Sequence, residues 1–184
     1  EGAAELVTAA LERWSKVDVL VNVVGGLRGK PEIPVWEIPE DEFEFAWGIN
    51  MRATFHCTQL VLPSMMERRF GKIVNIASNS WAGDPIHAHY AAAKAAVVAF
   101  TRSCAIQLGP YNINVNGIAP GGTMTNETNK MATSDGDGYE RGGTLGRYNE
   151  ARDIANAALY LASEESRQVS GQLITVAAGA NPRL

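Results

Sequence analysis

The sequence predicts an α/β fold in which a doubly wound parallel sheet carries helices on both faces. Four short segments are rich in Val and Ile and are bounded by Gly, Pro or Asn, which is typical of buried strands. Several are apolar at nearly every position, as expected of parallel strands covered on both faces. A helical pattern precedes each segment, and this alternation indicates one parallel sheet. The 184 residues suit a single domain, residues 1–184.

The predicted elements follow one another as helix and strand, four times over. The strands are Asp18–Val24, Lys72–Ala77, Ile113–Ile118 and Gln172–Val176. The helical stretches before them are residues 6–14, Asp41–Met66, Tyr90–Leu108 and Asp153–Ser163. In the first and last of these, apolar residues recur at helical spacing on one face. Pro63 predicts a kink or a break near the end of the second stretch, because proline has no N–H to donate.

The longest irregular stretch is Thr123–Arg147, which is rich in Thr, Asn, Gly and Asp. Loops of this length inside a compact domain usually act as lids or binding loops. We therefore predict a substrate loop or lid at 123–147. Plain surface disorder is the alternative, because many loop segments are merely mobile.

Composition excludes several classes of function. The net charge of −4 leaves no basic excess, so we expect no nucleic-acid partner. No apolar run approaches the ~20 residues of a membrane span, so we expect no membrane partner either. Cys57 and Cys104 have no metal-ligand spacing and suit a reducing compartment, which predicts a cytoplasmic protein. The 18 glycines exceed the usual share and indicate that backbone comes close to a ligand.

The sharpest feature of the sequence is Tyr90 followed four residues later by Lys94, with three alanines between them. On a helix, residues four apart lie on one face, with Cβ atoms about 5–6 Å apart. A phenol has a pKa near ~10, and a neighbouring cation lowers it by ~1–3 units, which permits proton transfer to or from an alcohol or a ketone. By itself such a pair is usually structural, so its interpretation depends on its neighbours.

Residues that could act with this pair occur in other elements. Ser78 ends the second predicted strand, and ligands bind at the carboxyl ends of parallel strands. It could hydrogen-bond the substrate oxygen that Tyr90 protonates, although a strand-ending turn residue is its ordinary interpretation. Asn50 lies deep in the long helical stretch and Asn22 interrupts an apolar strand, so both amides need partners. The two glycines in residues 119–125 allow the backbone to approach a ligand closely.

Together these residues resemble the short-chain dehydrogenase/reductase family, from about Glu5 to Gly179. The resemblance implies a Rossmann-like fold and an NAD(P)-dependent oxidoreductase. It implies that Ser78 polarises the substrate oxygen and that Tyr90 is the catalytic acid or base. Lys94 would lower the pKa of Tyr90 and hold the nicotinamide ribose hydroxyls. Asn50 would anchor a water that continues the proton relay.

The resemblance also implies a cofactor, NAD or NADP, with NAD favoured. Asn22 and Gly25 match the Asn-Asn-Ala-Gly motif at the end of the family's fourth strand. Residues 120–125 resemble the segment that cradles the nicotinamide amide and the pyrophosphate. The implied cofactor-binding residues are Asn22, Gly25, Tyr90, Lys94, Pro120, Gly121, Thr123 and Thr125.

The sequence departs from the family pattern at several places. Val23 and Val24 replace the second Asn and the Ala of the motif, so sheet hydrogen bonding is expected to differ there. Ala177 and Ala178 replace the usual Asp-Gly. The family's first strands and its glycine-rich turn are missing, so we expect this chain to be the C-terminal part of a longer polypeptide. The turns at residues 22–26 and 119–123 resemble the branch that oxidises cis-dihydrodiol carboxylates.

The loop between Ser78 and Tyr90 is expected to border the substrate. It carries Trp81, Asp84, His87 and His89. Two histidines this close could bind a metal, but no third ligand is near in sequence, so we predict no metal site.

The sequence therefore predicts a nicotinamide-dependent enzyme that moves a hydride between its cofactor and a secondary alcohol or ketone of a small-molecule substrate, with a cyclic or cis-diol substrate suggested by the resemblance. A non-catalytic subunit that senses a dinucleotide or serves in assembly is the alternative. Enoyl reduction is disfavoured because that subgroup spaces its Tyr and Lys more widely. The resemblance also implies a homodimer or homotetramer through helices 41–66 and 90–108.

Overall fold

The computed structural model of this chain describes residues 2–30, 32–125 and 144–180. Its main sheet has four strands, all parallel, in the order β1-β2-β3-β6. These strands are β1 (Val19–Asn22), β2 (Gly71–Ile76), β3 (Ile113–Pro120) and β6 (Leu173–Val176). The predicted α/β fold is confirmed, and the four predicted strands lie within a few residues of the observed ones.

Two further strands were not predicted. β4 (Thr123–Met124) and β5 (Asn149–Glu150) pair in parallel as a separate two-stranded sheet. β4 lies at the start of the segment 123–147 that was predicted to form a lid, and β5 follows the end of that segment. The rest of that segment, residues 126–143, lies outside the described residues.

The helices begin and end close to the predicted positions. They are α1 (Gly2–Trp14), α2 (Glu40–Trp47), α3 (Ala53–Arg68), α4 (Ala88–Leu108) and α5 (Ala151–Ala162). A π-helical turn, Gly48–Arg52, joins α2 to α3. Pro63 does not break the helix, since α3 continues beyond it to Arg68. The irregularity in this long helical stretch thus falls at the π-turn, and such turns occur often at functional sites.

The helices cover the sheet on its two faces. On one face α1, α3 and α4 pack against β2 and β3 through the buried side chains Val7, Val61, Met65, Ile73, Cys104, Leu108, Ile113 and Val115. On the other face α5 packs through Leu161 against Val74 and Ile118. This burial supplies the hydrophobic driving force for the fold and fixes the strand ends in space.

The C-terminal departure from the family pattern has a visible consequence in the backbone. Ala178 has a φ of 48°, which is the left-handed region that favours glycine. The chain thus keeps the glycine-like conformation at this position with an alanine. None of the described helices is long and apolar enough to span a membrane.

Candidate active site

A cleft opens at the carboxyl ends of β1, β2 and β3. Three predicted catalytic residues, Ser78, Tyr90 and Lys94, line this one cleft. Gly25 lines it from the segment after β1, and Pro120, Gly121 and Thr123 line it from the segment after β3. The parallel sheet therefore brings together residues from three strand ends, as the sequence predicted from the topology of such sheets.

Lys94 is held out of water beneath the cleft. Only 3% of the residue is exposed, and its Nζ donates to the carbonyl oxygen of Ile76 at 2.9 Å. Burial lowers the pKa of Lys94 from 10.5 to about 8. Its Nζ lies 5.7 Å from the centroid of the Tyr90 ring. The cation and the phenol are thus neighbours, one helical turn apart on α4.

Gly25 lies where no side chain would fit. A Cβ at this position would lie 2.6 Å from Oδ1 of Asn50 and 2.8 Å from Nζ of Lys94. The backbone after β1 therefore passes directly over the buried ammonium group. This close approach explains the glycine, because any side chain here would collide with Asn50 and Lys94.

Asn50, in the π-turn, ties that backbone down. Its Oδ1 accepts from the amide of Gly26 at 3.1 Å, and its Nδ2 donates to the Gly26 carbonyl at 2.9 Å and to the Ala46 carbonyl at 2.8 Å. Asn50 is fully buried. Its side chain thus holds the segment after β1 in place, which is a contact that the sequence did not predict. The predicted water-anchoring role stays a prediction.

Ser78 caps the short 3₁₀-helix Asn79–Ala82 that follows β2. Its Oγ accepts from the amide of Ser80 at 3.2 Å. Farther along, Asp84 accepts from the Ser80 hydroxyl at 2.6 Å and from the amides of Ile86 and His87, each at 3.0 Å. The loop between Ser78 and Tyr90 is therefore fixed by its own hydrogen bonds rather than left to solvent.

Some predicted site residues lie elsewhere. The amide of Asn22 is buried behind the cleft, where its Nδ2 donates to Asn75 Oδ1 at 2.8 Å and to Thr58 Oγ1 at 3.3 Å. It thus ties β1 to β2 and α3 and does not line the cleft, and its predicted contact with the cofactor stays a prediction. Thr125 is exposed and does not line the cleft.

Of the four residues predicted to border the substrate in the loop between Ser78 and Tyr90, only two line the cleft. Asp84 and His87 line it. Trp81 packs instead against the apolar cluster of Met51, Ala77, Val97 and Val98. His89 is only 5% exposed, because the first turn of α4 directs it into the protein. The positions of Trp81 and His89 relative to the cleft could not be derived from spacing, since that of Trp81 depends on how the short 3₁₀-helix turns and that of His89 on where α4 begins.

Sequence reasoning missed several residues of the cleft wall. Gly26, Leu27, Asn79 and Ser80 also line it. All four lie within five residues of a strand end, so the signal that located Gly25 and Ser78 could have located them. Among the described residues, no group of three or more His, Cys, Asp or Glu side chains is placed to hold a metal ion.

The cleft fits a nicotinamide cofactor on structural grounds. The ammonium group of Lys94 is buried yet lines the cleft, so it can donate to a polar group of a bound cofactor. On the opposite strand end Gly121 passes so close to Ala177 that a Cβ would lie 2.7 Å from the alanine's own Cβ. Gly25 and Gly121 both line the cleft, so a ligand there meets backbone without a side chain in between, as dinucleotide binding requires.

Comparison with known proteins identifies a family model and relatives that match nearly the whole chain. A family model described as enoyl-(acyl carrier protein) reductase matches residues 1–181. A (2S)-[(R)-hydroxy(phenyl)methyl]succinyl-CoA dehydrogenase subunit from Thauera aromatica is 35% identical over 174 residues, which cover 95% of this chain and 69% of that protein.

Solved structures of dehydrogenases and reductases have the same fold as this chain. A 7α-hydroxysteroid dehydrogenase in complex with NADH and 7-oxo glycochenodeoxycholic acid superposes with a TM-score of 0.87 and 36% identity, covering 96% of this chain and 69% of that one. A 3-oxoacyl-[acyl-carrier protein] reductase from Brucella melitensis superposes with a TM-score of 0.90 and 33% identity, covering 98% of this chain and 69% of that one.

Fold, cleft and relatives together define a nicotinamide-dependent oxidoreductase that acts on alcohols or ketones and uses NAD or NADP. Within that class, the chain belongs to the short-chain dehydrogenase/reductase family. The resemblance seen in the sequence is thereby confirmed.

Proposed function

We propose that Tyr90 is the proton donor and acceptor of this enzyme, working with Lys94 and Ser78 on a secondary alcohol or ketone. The single observation that carries the proposal is that the side chains of Ser78, Tyr90 and Lys94 line one cleft, with the ammonium group of Lys94 buried at its base. When bound, the nicotinamide supplies or accepts the hydride. The chain's own residues bind, orient and move the proton.

Each side chain has a task that its surroundings support. The ammonium of Lys94, 5.7 Å from the Tyr90 ring centroid, favours the phenolate form of Tyr90. The Ser78 hydroxyl accepts from the Ser80 amide and donates a long hydrogen bond, 3.4 Å, to Oδ1 of Asn79, and it would exchange this weak acceptor for the substrate oxygen. Asn50 positions the backbone at Gly26, and Gly25, Pro120, Gly121 and Thr123 line the surface on which the cofactor would rest.

The family model carries the description of an enoyl reductase, but we propose chemistry at a carbinol or carbonyl carbon. Tyr90 and Lys94 are separated by a single helical turn and share their cleft with Ser78. A cyclic or diol substrate and a preference for NAD are the finer parts of this proposal. The segment 123–147 would close over the substrate, and residues 1–184 would act as one domain.

We further propose a cytoplasmic homodimer or homotetramer formed through α2, α3 and α4. Both cysteines are free thiols, which suits a reducing compartment. Exposed apolar side chains on the helices, Phe55 on α3 and Ile106 on α4, would be covered in such an assembly.

The test is Tyr90→Phe. We expect turnover of secondary alcohols with NAD or NADP to fall by at least ~100-fold, because the phenol supplies general acid–base catalysis. Binding of NADH or NADPH, followed by nicotinamide fluorescence, should stay within about twofold, because the ring remains. Tyr160→Phe on α5, away from the cleft, is the matched control and should keep full activity. Full activity of Tyr90→Phe would refute the proposal.

A further inference from the structure

The segment that leaves β1 forms one wall of the cleft, through residues 25–27. One anchor of this wall is the Asn50 side chain, which hydrogen-bonds both the amide and the carbonyl group of Gly26. Directly after the wall the chain reaches α2, at Arg28. The contacts made there form a second anchor, on the same long helical stretch that carries Asn50.

Arg28 is fixed on α2 by three kinds of contact. Its Nη2 donates to the backbone carbonyl of Asp41 at 3.1 Å and to Oδ2 of the same residue at 2.9 Å. Its Cζ lies 4.4 Å from the centroid of the Phe45 ring, and its Nε lies 3.5 Å from Oε2 of Glu42. A planar guanidinium group suits this place, because its edge donates while its face stacks on the ring.

Glu42 is the acidic partner on which this anchor depends. The side chain of Asp41 is 74% exposed, so its pair with Arg28 contributes little. The side chain of Glu42 is only 18% exposed, and its Oε2 is buried without a hydrogen-bond partner among the described residues. A carboxylate withdrawn from water in this way needs a cation beside it, and Arg28 supplies that cation. Loss of Arg28 would therefore leave a buried charge uncompensated.

The backbone of Gly29 lies over the same carboxylate. Its φ is 88°, in the region that favours glycine, and a Cβ there would lie 2.8 Å from Oε1 of Glu42. The chain thus closes over the Glu42 side chain directly after the cleft wall. A displacement of this side chain would move the backbone at Arg28 and Gly29, and with it the adjoining Leu27.

We propose that Arg28 and Glu42 are positioning residues that fix the cofactor-side wall of the cleft at Gly26 and Leu27. The inference rests on the proposed function, in which this wall carries the cofactor. Neither Arg28 nor Glu42 belongs to the residues that line the cleft, so both act through the backbone. A wall that is already held at two points loses little freedom when the cofactor binds, and this preorganisation raises the affinity.

The test is a titration of NADH and NADPH followed by nicotinamide fluorescence. Arg28→Gln and Glu42→Gln each replace one charge of the pair by a neutral amide, and each should raise the dissociation constant about tenfold. Turnover at saturating cofactor should stay within about twofold, because Ser78, Tyr90 and Lys94 are unchanged. Arg28→Lys keeps the charge but not the flat donor edge, so a smaller rise, of about threefold, is expected.

Two exposed neighbours provide matched controls. Glu44→Gln on α2 and Lys30→Gln in the segment after β1 remove the same kinds of charge outside the pair, and each should leave the dissociation constants within about twofold. The double variant Arg28→Gln, Glu42→Gln tests whether the two residues act as a unit. We then expect a rise of about tenfold, as in each single variant, instead of about a hundredfold.

A second measurement needs neither cofactor nor turnover. Amide hydrogen exchange of residues 25–29, followed by mass spectrometry on the cofactor-free protein, should be faster in Arg28→Gln and Glu42→Gln than in the parent protein. Exchange in Glu44→Gln should match the parent, because the second anchor of the wall is intact there.

Three results would overturn the positioning role: unchanged cofactor dissociation constants in both single variants, multiplied effects in the double variant, or unchanged hydrogen exchange of residues 25–29. A lower free energy of unfolding with unchanged cofactor binding would show a merely structural ion pair. The proposed function fails in a different way. Turnover then survives Tyr90→Phe, whatever the dissociation constants of the Arg28 and Glu42 variants.

Discussion

At the scale of single residues, the burial of the Lys94 ammonium group costs stability. Its pKa falls from 10.5 to about 8, so between those pH values the folded protein has released a proton that the unfolded chain still holds. Stability therefore rises with pH across that window. Below pH 8 the buried charge costs on the order of 3 kcal/mol of stability.

We expect Lys94→Met to be more stable than the unchanged protein at pH 7, by about 1–3 kcal/mol, while losing activity. The gain should shrink as the pH rises from 8 to 10.5. Urea unfolding followed by circular dichroism at pH 7, 9 and 10.5 measures it. Lys30→Met, on the exposed segment after β1, is the control and should show no such pH dependence. A less stable Lys94→Met at pH 7 would contradict the explanation.

At the scale of elements, a buried chain of polar side chains holds β1, β2 and α4 in register. Asn22 on β1 donates to Asn75 on β2 at 2.8 Å, and Asn75 donates to the hydroxyl of Thr101 on α4 at 2.9 Å. Thr101 in turn donates to the Val97 carbonyl at 2.8 Å. These contacts set the positions of the strand ends from which the cleft residues rise.

Removing the middle member should therefore be costly. We expect Asn75→Ala to lower the free energy of unfolding by about 2–4 kcal/mol, because it leaves the Asn22 amide and the Thr101 hydroxyl without this partner and opens a cavity. Chemical denaturation measures the change. Asn156→Ala, on the exposed face of α5, should change stability by less than ~0.5 kcal/mol. Similar values for the two variants would show that the polar chain contributes little.

At the scale of the whole molecule, apolar side chains remain on the surface of the helices proposed to form the oligomer. Ile106 on α4 is 79% exposed and Phe55 on α3 is 38% exposed. We expect the double variant Phe55→Glu, Ile106→Glu to sediment as a monomer, because it places charges in the proposed interface. Val35→Glu, also at an exposed apolar position but outside these helices, should keep the original mass. A monomeric parent protein would refute the proposal.

Much of the site could be predicted from neighbouring residues in the chain. Tyr90 and Lys94 are one helical turn apart, and Ser78 follows a recognisable strand, so local rules place all three. The directions of Trp81 and His89 could not be predicted in this way. The direction of Trp81 depends on the short 3₁₀-helix, which packs against apolar residues far away in the chain. The direction of His89 depends on where α4 begins.

The sequence by itself determined the order of helices and strands, the family and the residues able to carry the chemistry, because periodicity and short spacings express local physical constraints. Only the tertiary structure decided that the partners of the Asn22 amide are Asn75 and Thr58, and that Asn50 holds the backbone at Gly26. Such contacts join residues far apart in the chain, and long-range packing rather than local spacing selects them.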